Sequence, residues 1–432
     1  MRTDGDAMKA KTPFQFGWII VGFGFITLGL AYGVIYSFSV FFVALLKEFG
    51  WSRSVTAGGF SLAVIIHGTI SPLVGSMADR AGPRKVFLYG SLCLGIGLAL
   101  CSLTQTWWGF YIFFGVITAI GVGSIGWVPN VLMIQRLFKE KMGLAVGMIS
   151  SGIGIGILVY VPLIQYLIIQ FGWRMAYRIM AISIPVIIIC MAIILLKRPL
   201  QATSSDQIKM EDSHKVTKDP FIVNEAWAST SWTLQQAIAT RQFWLLGTSF
   251  FLGLLITQSI FAHQVAFFVD QGYNPLFASY IVGLVGVVSL GGKILWGALS
   301  DRIGREITYA MGITCYVFGV MALVVLNIFP SSILLYLFAF LFGMGYAVTA
   351  ALPPLVTADL FGGHAFGGVF GSIMVFSGIG AAFGAWFAGF VYDVAGSYLP
   401  VFFILIIFGL FSSLSMWWVA PRKIRKVPGK AK

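Results

Sequence analysis

Apolar runs of twenty or more residues recur along the chain, separated by short polar turns. A helix needs about 20 mostly apolar residues to cross a bilayer. Read with that window, the sequence predicts twelve spans, at 17–42, 56–77, 86–104, 107–132, 143–169, 175–196, 243–269, 276–299, 307–327, 332–357, 366–391 and 398–419. They fall into two sets of six. The expected organisation is an N-terminal end (1–16), a first six-helix bundle (17–196), a polar connector (197–241), a second bundle (242–419) and a basic tail (420–432). Within the connector, Trp227 to Ala239 reads either as a short amphipathic helix on the membrane surface or as a plain linker. The fold class is therefore an all-α membrane protein of twelve transmembrane helices in two bundles.

Composition closes off the soluble alternative. Hydrophobic residues make up 58% of the 432 positions and charged residues only 10%, against about 25% in soluble domains. The formal net charge of +13 would suggest a nucleic-acid partner, but the basic residues sit between apolar runs. Arg80, Arg84 and Lys85, then Arg136, Lys139 and Lys141, the connector, and Arg302 and Arg305 all fall on alternate turns. Lys9 and Lys11 precede the first span, and Arg422 to Lys432 follow the last. Under the positive-inside rule this places both termini and the connector in the cytoplasm. Lys47, Arg53, Arg174 and Arg178 are the main exceptions on the opposite face. No nucleic-acid partner is expected. Short loops and compact ends suit a prokaryotic inner membrane, with lipids as the surroundings and a monomer as the unit. Cys93, Cys101, Cys190 and Cys315 all lie inside apolar runs, without metal-ligand spacing. The first run is too long for a cleaved leader.

The halves repeat. Gly75-Ser-Met-Ala-Asp79-Arg80-Ala-Gly82-Pro-Arg84 follows the second span, and Gly297-Ala-Leu-Ser-Asp301-Arg302-Ile-Gly304-Arg305 follows the eighth. Glycine permits a tight turn and close helix approach. The carboxylate and guanidinium side chains can clasp neighbouring helix ends and release them in another state. A parallel repeat of two six-helix units is the architecture of carriers that alternate access around a midplane site.

These loops resemble the signature motif of the major facilitator superfamily, over nearly the whole chain. The resemblance extends to the branch of monocarboxylate transporters and oxalate–formate antiporters. It is carried by FGWIIVGFGF in the first span, SFSVFFVALLKEFGWSRS before the second, FGWRMAY before the sixth, RQFWLLGTSFFLG and HQVAFFVDQG in the seventh and GYAVTAALPPLVTADLFG in the tenth. It implies a carrier of small organic anions with a proton or counter-anion as the coupled partner, no cofactor and no metal. An efflux carrier for amphipathic compounds and a transporter-like receptor are the competing readings. No nucleophile–base pair, metal cluster or carboxylate pair lies in the spans, so an enzyme is not expected. Gly152, Gly154 and Gly156 lie in an apolar helix and are not a nucleotide loop.

An ionisable group at mid-membrane costs roughly 2.5–3.5 kcal/mol on insertion scales, so each needs a reason. Lys293, in the eighth span, stands where the resembling carriers hold an arginine that pairs with the substrate carboxylate. A lysine is a point charge where arginine is a fork, and snorkelling to headgroups is the competing explanation. Eukaryotic-type carriers of the branch add an Asp one turn earlier and a Lys in the first span; here Ser289 and Tyr36 stand at those positions. The oxalate carrier's second cation, in the eleventh span, is replaced by an uncharged residue near Ser377. One cation implies a monoanion. Tyr32 and Tyr36 share a helix face and by family position line the cavity, with packing or an interfacial belt as the alternative; His263 by family position lies near the outer half of the cavity, or is a structural histidine bonded to a neighbour. Tyr346 and Asn130 are further cavity candidates. His67, beside Gly68 and a Ser-Pro step, reads as packing.

Overall fold

The apolar runs form helices because nothing in them competes for the backbone, and lipid leaves no other way to satisfy its hydrogen bonds. The structure is a computed structural model, and it describes residues 13–138, 142–196, 222–228, 230, 232–362, 366–427 and 429. The expected connector falls largely outside these residues, as do most of the N-terminal end, Lys139, Lys141 and the side chains of Asp79 and Arg136.

Among the described residues, twelve helices are long and apolar enough to cross a membrane. They are α1 (Pro13–Phe49), α2 (Arg53–Ala81), α3 (Pro83–Cys101), α5 (Met142–Phe171), α6 (Trp173–Leu195), α7 (Arg241–Asp270), α8 (Pro275–Ile303), α9 (Arg305–Ile328), α10 (Ser332–Phe361), α11 (Phe366–Ala395) and α12 (Leu399–Val419), with the fourth span, Trp107–Gln135, as α4. Most are longer than their apolar runs. α1 continues through Lys47 and Glu48, whose charged ends lie at the helix terminus where water can solvate them. α4 is broken at Gly126, whose ψ of −141° lies far from helical values.

The sequence repeat is also a packing repeat. Gly152 and Gly156 of α5 lie against the Phe25 and Gly29 carbonyls of α1, and Gly380 and Gly384 of α11 against the Phe251 and Leu255 carbonyls of α7. In each half the backbones come so close that no side chain fits, and the two glycines are one helical turn apart. The bundles meet through the equivalent pairs α5–α8 and α2–α11. A Cβ on Gly286 of α8 would sit 2.9 Å from the Gly154 carbonyl oxygen of α5. The helices sunk deepest into the protein are α7, α1 and α10, and these carry most of the central site.

Both copies of the loop motif turn on one residue. Gly82 (φ 84°) alone separates α2 from α3, and Gly304 (φ 107°) alone separates α8 from α9. A side chain would be strained at either position. In the second copy, Arg305 bonds Asp301 (2.6 Å), Ser300 (2.6 Å) and Asp359 of α10 (2.8 Å). The ends of α8, α9 and α10 are thereby tied together. The stretch from Trp227 to Ala239, read either as a short helix or as a plain linker, meets two short helices, Glu225–Ala228 and Leu234–Ile238, the second started by a Thr233–Gln236 capping box. It is anchored by Trp227 Nε1, which donates to the Leu360 carbonyl (2.7 Å).

Candidate functional site

At the centre, the two bundles touch through tyrosines. Tyr36 of α1 and Tyr346 of α10 share a hydrogen bond of 2.9 Å between their hydroxyls. Tyr32, one turn along α1, stacks on Tyr36 at 6.4 Å between ring centroids. Phe261 of α7 closes the group, 4.5 Å from the Tyr36 ring and 5.2 Å from that of Tyr346.

Lys293 completes this group from α8. The sequence places it beside Gly292, which packs on Ala347 and Met344 of α10. Trp296, one turn on, donates Nε1 to the Met344 carbonyl (2.8 Å). These contacts hold α8 against α10 and bring the Lys293 amine over the Tyr346 ring, 5.3 Å from its centroid. The amine thus points to the tyrosines between the bundles and away from the helix end where headgroups lie. Among the described residues no carboxylate pairs with it. The ring face offers weak attraction for a cation and leaves its charge available.

Sequence reasoning passed over Gln258. It stands one turn before Phe261 on the same face of α7, is 8% exposed, and its amide oxygen has no hydrogen-bond partner. A buried amide oxygen without a partner costs free energy that a ligand's donor would recover. His67 of α2 makes an edge-on ring contact with Tyr32, 6.3 Å between centroids. No sequence signal separates these two from ordinary polar residues in a span.

Other expected site residues are engaged elsewhere. Asn130 donates to the Ile125 and Gly126 carbonyls (2.9 and 2.7 Å) and accepts from Thr27 (3.0 Å). It satisfies the backbone groups freed by the break in α4. Ser289 is fully buried and donates to its own helix at Gly286. Ser377 is buried with its hydroxyl unpartnered, and it neighbours Phe376, which packs on Phe243 and Trp244 of α7. The loop-motif residues Gly75, Asp79, Arg80, Gly82 and Arg84, expected to act in gating, end α2 and begin α3, and Gly297, Asp301, Arg302, Gly304 and Arg305 do the same for α8 and α9.

His263 is built into a seal near the opposite face. Its Nε2 lies 2.8 Å from the Ala385 carbonyl and its Nδ1 2.9 Å from the Tyr398 hydroxyl. A carbonyl only accepts, so Nε2 carries the proton and, in the neutral ring, Nδ1 accepts from Tyr398. Tyr398 in turn accepts from Arg53 (2.6 Å). Arg53, at the start of α2, also pairs with Asp270 of α7 (2.6 Å) and stacks on Tyr392, 3.7 Å from the ring centroid. The Arg53 and Ser54 backbone amides both donate to Asp393 of α11, each at 2.8 Å. Among the described residues, every hydrogen bond and ion pair between bundles lies at or beyond the tyrosines, toward this face. The seal is closed on the face away from the loop motifs, which is one end state of alternating access.

The comparisons agree with this geometry. The chain is 25% identical to monocarboxylate transporter 13 of Rattus norvegicus over 395 residues, covering 90% of this chain and 85% of that one. It is 26% identical to monocarboxylate transporter 12 of the same species over 419 residues, covering 92% and 84%. In fold it resembles a bacterial homologue of the human lysosomal transporter Spinster, in an inward-facing and unoccupied conformation, with a TM-score of 0.67 at 14% identity and 94% of each chain covered. A peptide transporter in complex with sulfate gives a TM-score of 0.73 at 13% identity, covering 95% of this chain and 96% of that one. The sequence profile described as Major Facilitator Superfamily matches residues 24–370 and 278–432. Twelve spanning helices in two repeated bundles, closed on one face and joined at mid-depth by paired tyrosines, make this chain a transporter that belongs to the Major Facilitator Superfamily.

Proposed function

We propose that the chain carries small organic monoanions, monocarboxylates of the lactate and pyruvate kind, together with a proton. The observation that carries this reading is Lys293, whose amine lies over Tyr346 between the bundles without a carboxylate partner among the described residues. A charge held in a span without a counter-ion is costly, and a substrate carboxylate would complete it through a charge-assisted hydrogen bond. The names of the relatives, monocarboxylate transporters 12 and 13, support the same class. One cation favours a monoanion.

In this reading, Lys293 binds the carboxylate, Tyr346 and Tyr36 donate hydrogen bonds or close over it, and Tyr32 lines the path toward the face with the loop motifs. That face is the cytoplasm of a prokaryotic inner membrane, with both termini inside, and the unit is a monomer. The Arg53–Asp270–Asp393 seal is the outer gate, and the Asp79 and Asp301 loops form the inner one. Uptake of labelled lactate and pyruvate into proteoliposomes tests the proposal. Saturable uptake by the wild type and its loss in Lys293→Ala are expected. Equal saturable uptake by both proteins would remove the amine from the mechanism.

A further inference from the structure

We propose that His67 is the residue that carries the coupled proton. The inference rests on the anion-carrier reading and names the second half of its chemistry. Two histidines lie in the described spans. His263 has both ring nitrogens engaged, one by Tyr398 and one by the Ala385 carbonyl. Protonating it would put a cation beside Arg53, which shares Tyr398 with it. Neither ring nitrogen of His67 has a hydrogen-bond partner among the described residues. Its ring is half-buried between Tyr32 of α1 and the broken part of α4, where a Cβ on Gly126 would stand 3.6 Å from Nε2. A free imidazole takes up and gives up a proton near neutral pH.

The neighbouring elements supply no rival for that proton. From α1 the facing group is Tyr32, a phenol. The part of α4 beside the ring contributes Gly123 and Gly126. The span α11 has no titratable residue between Phe366 and Val391. The charged residues of α2 and α3 nearest along the chain are Asp79, Arg80, Arg84 and Lys85 on one side and Arg53 on the other. Asp79, the nearest, is twelve residues from His67, about 18 Å along a helix.

His67 and Lys293 stand at the two ends of a row formed by Tyr32, Tyr36 and Tyr346. One belongs to the first bundle and the other to the second. The empty site carries the lysine's single positive charge. The loaded site carries that charge, the substrate's negative one and the proton on His67, so its net charge is the same. The bundles would then reorient with equal charge in both halves of the cycle, and transport would be electroneutral.

The test compares wild type, His67→Gln and His67→Asn in proteoliposomes, each checked for monodispersity before reconstitution. Accumulation of labelled lactate under an imposed proton gradient is read beside counterflow exchange without one. The expected result is that both variants lose gradient-driven accumulation at least tenfold. Their counterflow should stay within about twofold of wild type and lose its dependence on pH. Retained accumulation in either variant overturns the assignment. Equal loss of counterflow and accumulation in monodisperse protein also overturns it, because His67 would then act in binding or packing. Absence of lactate and pyruvate uptake by the wild type overturns the anion reading, and this one with it.

Discussion

Asp393 of one bundle caps a helix of the other. Its two carboxylate oxygens accept the backbone amides of Arg53 and Ser54, each at 2.8 Å, at the N-terminus of α2. Those amides lack partners within their own helix, and the carboxylate also suits the positive end of the helix dipole. The cap exists only while the bundles touch on this face, so it stabilises the state closed on this face specifically. Ser52, the cap within the same bundle, accepts from the Val55 amide and shares a hydrogen bond with the Ser54 hydroxyl.

Asp393→Ala should therefore shift the carrier toward the state open on this face. A lost cap of this kind costs about 1 kcal/mol, which is roughly a fivefold change in the ratio of states. Spin labels at Phe171 and Phe329, exposed at the ends of α5 and α9, report it as a distance distribution. A longer-distance population should grow in the variant, while an unchanged distribution would show that the cap contributes little to closure.

Arg53→Lys should weaken the same closure although it keeps the charge. Arginine here bonds Asp270 and Tyr398 through separate nitrogens and stacks on Tyr392. A lysine has neither the fork nor the planar face. The closed population should fall by a factor similar to that for Asp393→Ala in the same spin-label measurement. Arg53→Lys at wild-type distances would reduce the interaction to charge alone.

The fold was legible in the sequence because its main determinant, long apolar runs, is local. The repeat was legible because the turn after α2 and the turn after α8 each need a glycine of positive φ beside a charged clasp. The seal between the bundles was not legible. Arg53, Arg174 and Arg178 stood out only as exceptions to the charge asymmetry. Arg53 finds Asp270 across the two bundles, and Arg174 and Arg178 find Glu48 and Ser102 within the first; partners this far apart in the chain leave no spacing to read. Asn130 and His263 show the converse. A polar residue in a span has the same sequence signature whether it faces a ligand or a broken backbone, and only the hydrogen-bond partners tell them apart. For Lys293 the sequence supplied the position, and the structure supplied the direction of the amine.

Tyr36→Phe should remove the hydrogen bond to Tyr346 without emptying the space. A neutral hydrogen bond contributes about 1 kcal/mol, so the KM for uptake should rise roughly fivefold if the pair orders the site. Tyr346→Phe should match it. The double variant should add little to either single change, because one interaction is lost only once. Additive effects would show that each hydroxyl acts on its own.

Gly286→Leu should impair both stability and transport. Its Cβ would meet the Gly154 carbonyl at 2.9 Å and the Ile157 Cβ at 2.8 Å where α5 crosses α8. Overpacking of this kind costs about 1–3 kcal/mol, and it would also wedge the contact on which the bundles rock. Gly147→Ala, with nothing within 4 Å of the added carbon, is the control and should behave as wild type in a thermal melt. Gly286→Leu at wild-type Tm and turnover would show that the helices separate there freely.

The anion assignment depends on the Lys293 amine, and equilibrium binding tests it most directly. Calorimetric titration of the purified protein with L-lactate and pyruvate, for wild type and Lys293→Met, reads the interaction without transport. Removing one partner of a buried charge pair costs about 2 kcal/mol or more, so Lys293→Met should bind at least about 30-fold more weakly. A dissociation constant for Lys293→Met equal to the wild type's would contradict the account.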